Sequence, residues 1–69
     1  MGVPAWLREV MQEDDVIAFG RRIMQEGRFD EKDLEFFSDE SLKEHGVTNA
    51  LTRVRMRRRI SQHFKISKH

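Results

Sequence analysis

The chain has 69 residues, no cysteine, and a net charge of +1 from 13 basic and 12 acidic residues. This length suits one small domain, and the lack of cysteine excludes a disulfide framework and a thiolate metal site. No apolar run approaches the roughly 20 residues that a membrane-spanning helix needs, and the N-terminus lacks the layout of a signal peptide. We therefore expect one intracellular domain over residues 1–69, with a core at about 5–65 and frayed ends, cytoplasmic rather than nuclear.

The charges are distributed unevenly along the chain. Residues 1–46 hold all 12 acidic and 6 basic residues, a net charge of −6, whereas residues 47–69 hold 7 basic residues and no acidic one. Such an uneven distribution of charge bears on the choice of binding partners and not on the fold. It indicates two oppositely charged surfaces. The simpler alternative is that both are ordinary solvated faces, since 36% of the chain is charged.

Apolar spacing predicts two helices in the first part of the chain. Pro4 suits the first turn of the first helix, where its missing N–H costs nothing. The second helix covers 16–26, and Asp14 or Asp15 can cap its start. Gly20 inside it indicates close packing of another element. The first helix would bury Trp6, Leu7, Val10 and Met11, and the second has two apolar stripes, Val16, Phe19 and Ile23, and Ile17, Gly20 and Met24.

Two very short helices follow, each with a polar cap. Asp30 precedes EKDLEFF, and Ser38 precedes DESLKEH, which has acidic residues in its first turn. Gly46 sits where a helix terminates in the left-handed conformation. The residues expected to face inward are Leu34, Phe37, Leu42 and Val47.

A long basic helix closes the chain. Thr48 or Asn49 caps it, and it runs from about residue 50 to about residue 65. Arg53 and Arg57 flank its apolar stripe, so their stems would lie on the stripe and their charged ends in water. The inward stripe is Met56, Ile60 and Phe64, and the opposite face is Arg55, Arg58, Gln62 and Lys65. The pattern predicts an all-α, compact five-helix bundle with a long C-terminal helix.

The second half of the chain carries a familiar series of residues. From Leu34 to Val47, apolar residues, a serine and a glycine recur at the spacings of the SAM (sterile alpha motif) domain family. The chain resembles this family over about residues 6–64, although Leu51 stands where the family usually has a glycine. The residues that carry the resemblance are Phe29, Leu34, Phe37, Leu42, Gly46, Val47, Arg53, Met56 and Ile60.

The resemblance implies a protein–protein interaction module for scaffolding or signalling. Two surfaces of such domains dock head-to-tail, so the partner would be a second copy or another SAM domain, and a contact of this kind forms open chains unless it closes. The acidic mid-loop surface would be Asp30, Glu31, Asp33, Glu35, Asp39 and Glu40. The basic end-helix surface would be Asn49, Leu51, Thr52, Arg53 and Arg57.

Nothing in the sequence indicates catalysis. It has no glycine-rich phosphate loop, no HExxH motif and no cysteine nucleophile. His45, His63 and His69 lack the spacing of metal ligands. We expect no enzyme, no cofactor, no metal and no small-molecule substrate.

Two other functions remain open. An RNA hairpin or another nucleic acid could bind an arginine-rich face made of Arg55, Arg58, Arg59 and Lys65. The charge of −6 on residues 1–46 and the absence of aromatic residues between the arginines argue against it. Anionic lipid could bind a face made of Arg55, Arg58 and Lys65, but that face has no large apolar side chain to insert.

Overall fold

The computed structural model describes residues 2–66, and of Ile66 the backbone alone. Within this range every regular element is a helix, which confirms the predicted all-α class and the count of five. The third element is a 3-10 helix rather than an α-helix. The elements are α1 (Ala5–Arg8), α2 (Glu13–Gln25), the 3-10 helix (Glu31–Phe36), α3 (Asp39–Glu44) and α4 (Ala50–Ile66).

The start of α2 differs from the prediction. The helix begins at Glu13, so Asp14 and Asp15 lie in its first turn instead of capping it, and Gln12 occupies the cap position without a side-chain bond. Three acidic residues at this end are favourable because the helix dipole is positive there. The expected aspartate cap was therefore wrong, and Asp15 is instead buried, with no hydrogen-bond partner for its Oδ2 among the described residues.

The core draws apolar side chains from all five helices and from the segments beside α1 and α3. Every predicted inward residue of the 3-10 helix, α3 and α4 lies in this core or packs against it. Val3, which was not predicted, lies against Gly20 of α2, with its Cγ2 3.6 Å from where a Cβ would be; this is an ordinary van der Waals distance, so the contact does not require glycine there. The buried apolar residues are Val3, Leu7, Phe19, Ile23, Leu34, Leu42, Val47, Met56 and Ile60.

The second apolar stripe of α2 is not part of the core. Ile17 is 52% exposed and Met24 is 61% exposed. A helix on the surface of a small bundle buries one face, and Phe19 and Ile23 already occupy the buried face of α2. Of the two apolar stripes that the sequence shows on this helix, the one with Phe19 and Ile23 is therefore the buried one.

Local caps set the short helices and the turns between them, as predicted. Asp30 begins the 3-10 helix in a reciprocal capping box with Asp33. The Ser38 hydroxyl accepts from the Ser41 amide at 3.1 Å at the start of α3. Gly46 has a φ of +97°, and a Cβ there would lie 3.1 Å from the Ala18 Cβ, so the turn into α4 requires glycine.

Asn49 caps α4. Its side-chain oxygen accepts from the amides of Leu51 at 2.9 Å and Thr52 at 3.3 Å. Of the two predicted candidates, Thr48 and Asn49, the structure selects Asn49. The cap thus satisfies two amides of the first turn of α4 that have no partner within the helix.

Candidate functional site

The predicted acidic mid-loop surface lies on the 3-10 helix and the start of α3, and two of its residues are used by the local caps. Asp33 Oδ2 accepts from the Asp30 amide at 2.9 Å. Asp30 Oδ1 in turn accepts from the Lys32 amide at 3.4 Å. These two carboxylates hold the start of the 3-10 helix in place.

Glu31 joins this surface to both ends of the chain. Its Oε2 accepts from Trp6 Nε1 at 3.2 Å and lies 3.6 Å from His63 Nε2. The Trp6 and His63 rings stack with their centroids 3.9 Å apart. Glu31 thus fixes α1 against the C-terminal half of α4.

Arg53 and Asp39 were predicted on opposite docking surfaces, but they form an ion pair within one chain. Arg53 Nε donates to Asp39 Oδ1 at 2.9 Å, and Arg53 Nη1 donates to the Val47 carbonyl at 2.9 Å. Arg53 is only 9% exposed, so the expectation that its charged end lies in water was wrong. The guanidinium turns inward because a carboxylate on α3 and a carbonyl of the preceding turn both lie within its reach.

The other predicted end-helix residues do not form one surface. Thr52 is 3% exposed, and the side chain of Asn49 is occupied by the cap. Arg57 is exposed but lines a separate groove together with Glu35 and Lys65. Of the five predicted residues, Leu51 alone is a large exposed apolar side chain, at 64%.

A different set of residues surrounds Leu51. Val54, Arg55 and Arg58 follow it at i+3, i+4 and i+7, which places all four on one face of α4. Val54 is 49% exposed, and neither arginine forms a hydrogen bond or ion pair with any described residue. We call Leu51, Val54, Arg55 and Arg58 the Leu51 face. Val54 was missed, although helical spacing from Leu51 could have found it.

Phe36 is the most exposed large apolar residue of the part that the structure describes, at 80%. It ends the 3-10 helix inside the acidic mid-loop surface, next to Glu35. Phe37 packs instead against the core, with its ring centroid 5.6 Å from that of Phe19. The sequence correctly predicted that Phe37 faces inward, but it did not identify Phe36 as exposed. Neighbouring positions on a helix point in different directions, so Phe36 faces solvent while Phe37 faces the core.

The predicted nucleic-acid face is also divided. Arg59 Nε donates to the Trp6 carbonyl at 3.1 Å, and Arg59 Nη2 pairs with Glu9 at 2.9 Å. Lys65 lies in the groove with Arg57. Of the four residues predicted to bind nucleic acid, Arg55 and Arg58 thus lie together, and both belong to the Leu51 face.

No group of three or more histidine, aspartate or glutamate side chains in residues 2–65 is placed to hold a metal ion. Over the same part of the chain, no helix is long and apolar enough to cross a bilayer. Comparison with protein-family models, curated proteins and solved structures gave no match. The exposed surfaces of the domain are therefore the features that indicate a function.

Proposed function

We propose that this chain is a SAM-type, non-catalytic interaction module that docks head-to-tail with a second copy or with another SAM domain. The Leu51 face of one molecule would contact the acidic mid-loop surface of the next, with Phe36 at its centre. The observation that carries the proposal is the Leu51 face, where two exposed apolar side chains share one helical face with two arginines that have no partner among the described residues.

The composition of the two surfaces suits an interface. Protein–protein interfaces combine an apolar centre with a polar rim, and Leu51 with Val54 and Phe36 would supply apolar centres on the two sides. The arginines of the Leu51 face would meet carboxylates of the mid-loop surface. Internal pairing does not remove all of these carboxylates from solvent, since the side chains of Asp39 and Glu31 are 52% and 45% exposed. Complementary charge of this kind raises the association rate and fixes the register.

Head-to-tail geometry follows if these two surfaces dock. The mid-loop surface lies on the 3-10 helix and α3, whereas the Leu51 face lies on α4. A contact between two different surfaces is heterologous, and repeated copies build an open chain unless the rotation closes into a ring. The size of the assembly would therefore grow with protein concentration.

Leu51→Asp and Phe36→Ser test the proposal by sedimentation velocity at low ionic strength. Both side chains are exposed, so each variant should keep its helical content while its self-association is lost. Arg53→Glu is a poor test because it would break the buried contacts to Asp39 and Val47 and destabilise the fold. A wild-type protein that stays monomeric near 1 mM, well above ordinary working affinities, would overturn docking to a second copy.

Nucleic-acid binding is the second candidate, favoured by the exposure of Arg55 and Arg58. Binding of a labelled RNA hairpin should then weaken linearly in a plot of log affinity against log salt concentration, because phosphate contacts release counterions. Absence of a gel shift at about 50 mM salt would eliminate this candidate.

A further inference from the structure

A groove between the 3-10 helix and the C-terminal half of α4 lies beside the acidic mid-loop surface, with which it shares Glu35. Its volume is about 300 Å³. Ile60 at its base is 4% exposed, while Phe37 and Phe64 are half-buried and contribute aromatic walls. The lining residues are Glu35, Phe37, Arg57, Ile60, Ser61, Phe64 and Lys65.

Among the described residues, two cations border this groove. Arg57 and Lys65 lie on α4, two turns apart, which corresponds to roughly 12 Å along the helix axis. Exposed Ser61 lies midway between them, and Glu35 is the one acidic residue among the lining side chains. Neither Arg57 nor Lys65 forms an ion pair with another described residue. The rim therefore retains two cations that an incoming anion can reach.

The size and walls of the groove select the kind of occupant. A volume of about 300 Å³ lies at the lower end for ligand sites, which suits one large side chain rather than a whole helix. Aromatic rings prefer edge-to-face or offset contacts, and an aromatic side chain can form them with Phe37 and Phe64. Carboxylates beside that side chain would lie near the two cations.

We propose that this groove binds an acidic peptide segment of a partner protein, with one aromatic side chain between Phe37 and Phe64 and carboxylates at Arg57 and Lys65. The site goes beyond the proposed docking function. Lys65 is fourteen residues from Leu51, roughly 21 Å along α4, so the Lys65 end of the groove is distant from the apolar anchor of the Leu51 face.

The test uses fluorescence anisotropy with a labelled acidic peptide that has a central phenylalanine. Arg57→Glu and Lys65→Glu should each weaken binding about fivefold, because charge reversal replaces an attraction with a repulsion. Arg55→Glu is the matched control, since it makes the same charge change on the Leu51 face, and it should alter affinity by less than about twofold. Circular dichroism checks that each variant keeps its helices.

Two further measurements locate the aromatic side chain. A peptide with serine in place of phenylalanine should bind at least about fivefold more weakly, since burial of the ring is lost. In ¹⁵N NMR spectra, the acidic peptide should shift the amides of Phe37, Ser61 and Phe64 in the groove.

Three results would overturn the proposal. The first is no binding at millimolar peptide, and the second is an equal loss of affinity for Arg57→Glu and Arg55→Glu, which would indicate unspecific attraction. The third is self-association of the protein that is abolished by Arg57→Glu but retained by Arg55→Glu. That result would mean that the groove binds a second copy of this chain. If sedimentation shows that the Leu51 face does not mediate docking, the outcome of these peptide experiments is unaffected.

Discussion

The acidic segment at 30–40 and the first half of α4 carry opposite charges, but they use them differently. In the acidic segment, Asp30 and Asp33 cap a helix, Glu31 contacts Trp6, and Asp39 pairs with Arg53. On the Leu51 face, neither arginine has a partner among the described residues. The acidic residues therefore serve both stability and surface potential, whereas the exposed arginines are available to a partner.

This difference shows that formal charge does not measure what a surface offers. Arg53 and Arg55 are two positions apart, yet Arg53 is 9% exposed and bonded to two groups, while Arg55 points into solvent. A substitution at Arg53 should therefore lower the stability of the fold, whereas a substitution on the Leu51 face should weaken binding to a partner.

The largest expected effect is on stability, at Arg53. Arg53→Ala should lower the free energy of unfolding by about 2–3 kcal/mol, because it removes a charge-assisted bond to Asp39 and leaves the Val47 carbonyl without its donor. Urea denaturation followed by circular dichroism measures this change. Arg55→Ala, the control, should change stability by less than about 0.5 kcal/mol. Equal losses for the two variants would contradict the distinction between them.

Leu51→Asp should have the next largest effect, on docking instead of stability. The affinity of the proposed head-to-tail contact should fall at least about tenfold, because the apolar anchor at the centre of the proposed interface is replaced by a charge. Sedimentation equilibrium measures the affinity. Ala50→Asp adds the same charge one residue earlier and should retain docking; if it weakens docking equally, charge and not the apolar anchor is responsible.

Asp39→Asn should destabilise the fold less than Arg53→Ala does. We expect a loss of about 1 kcal/mol, because the side chain of Asp39 is 52% exposed and an asparagine can still accept from Arg53. The urea midpoint gives the value, and Glu40→Gln at the next position should change it little. A loss as large as that of Arg53→Ala would mean that Asp39 is the main source of the pair's stability.

The smallest effect is expected at the rim of the mid-loop surface. Glu40 forms no hydrogen bond or ion pair with the rest of the described chain, so Glu40→Lys should leave stability unchanged and weaken docking roughly twofold to threefold. The difference should shrink as salt is added, since exposed charges are screened. Glu13→Lys, at the start of α2, is the control. An equal loss of docking affinity in that variant would exclude a local role for Glu40.

Much of the fold could be predicted because its signals are local. Asp30, Ser38 and Gly46 mark caps and a turn through bonds or φ angles within a few residues, and all three were predicted. The apolar spacing of α4 likewise identified Met56 and Ile60 as buried. Residues within one helical turn of each other are therefore enough to predict the caps, the turn and the buried face of the helix.

The candidate site was harder to predict because its contacts are long-range. The pair of Arg53 with Asp39 joins residues 14 positions apart, and the bond from Trp6 to Glu31 spans 25 positions. Spacing along one helix cannot reveal whether an arginine turns inward to another helix. Phe36 was missed for a related reason, since which of two adjacent phenylalanines faces out depends on how the 3-10 helix packs.

The most direct test of the docking account is a mixing experiment by sedimentation velocity at low salt. Leu51→Asp keeps its mid-loop surface and Phe36→Ser keeps its Leu51 face, so one intact contact can form between the two variants. The account predicts that each variant alone sediments as a monomer, that the equimolar mixture forms a heterodimer and nothing larger, and that the wild type forms larger species as its concentration rises. A mixture that stays monomeric while the wild type associates would contradict head-to-tail docking through these two surfaces.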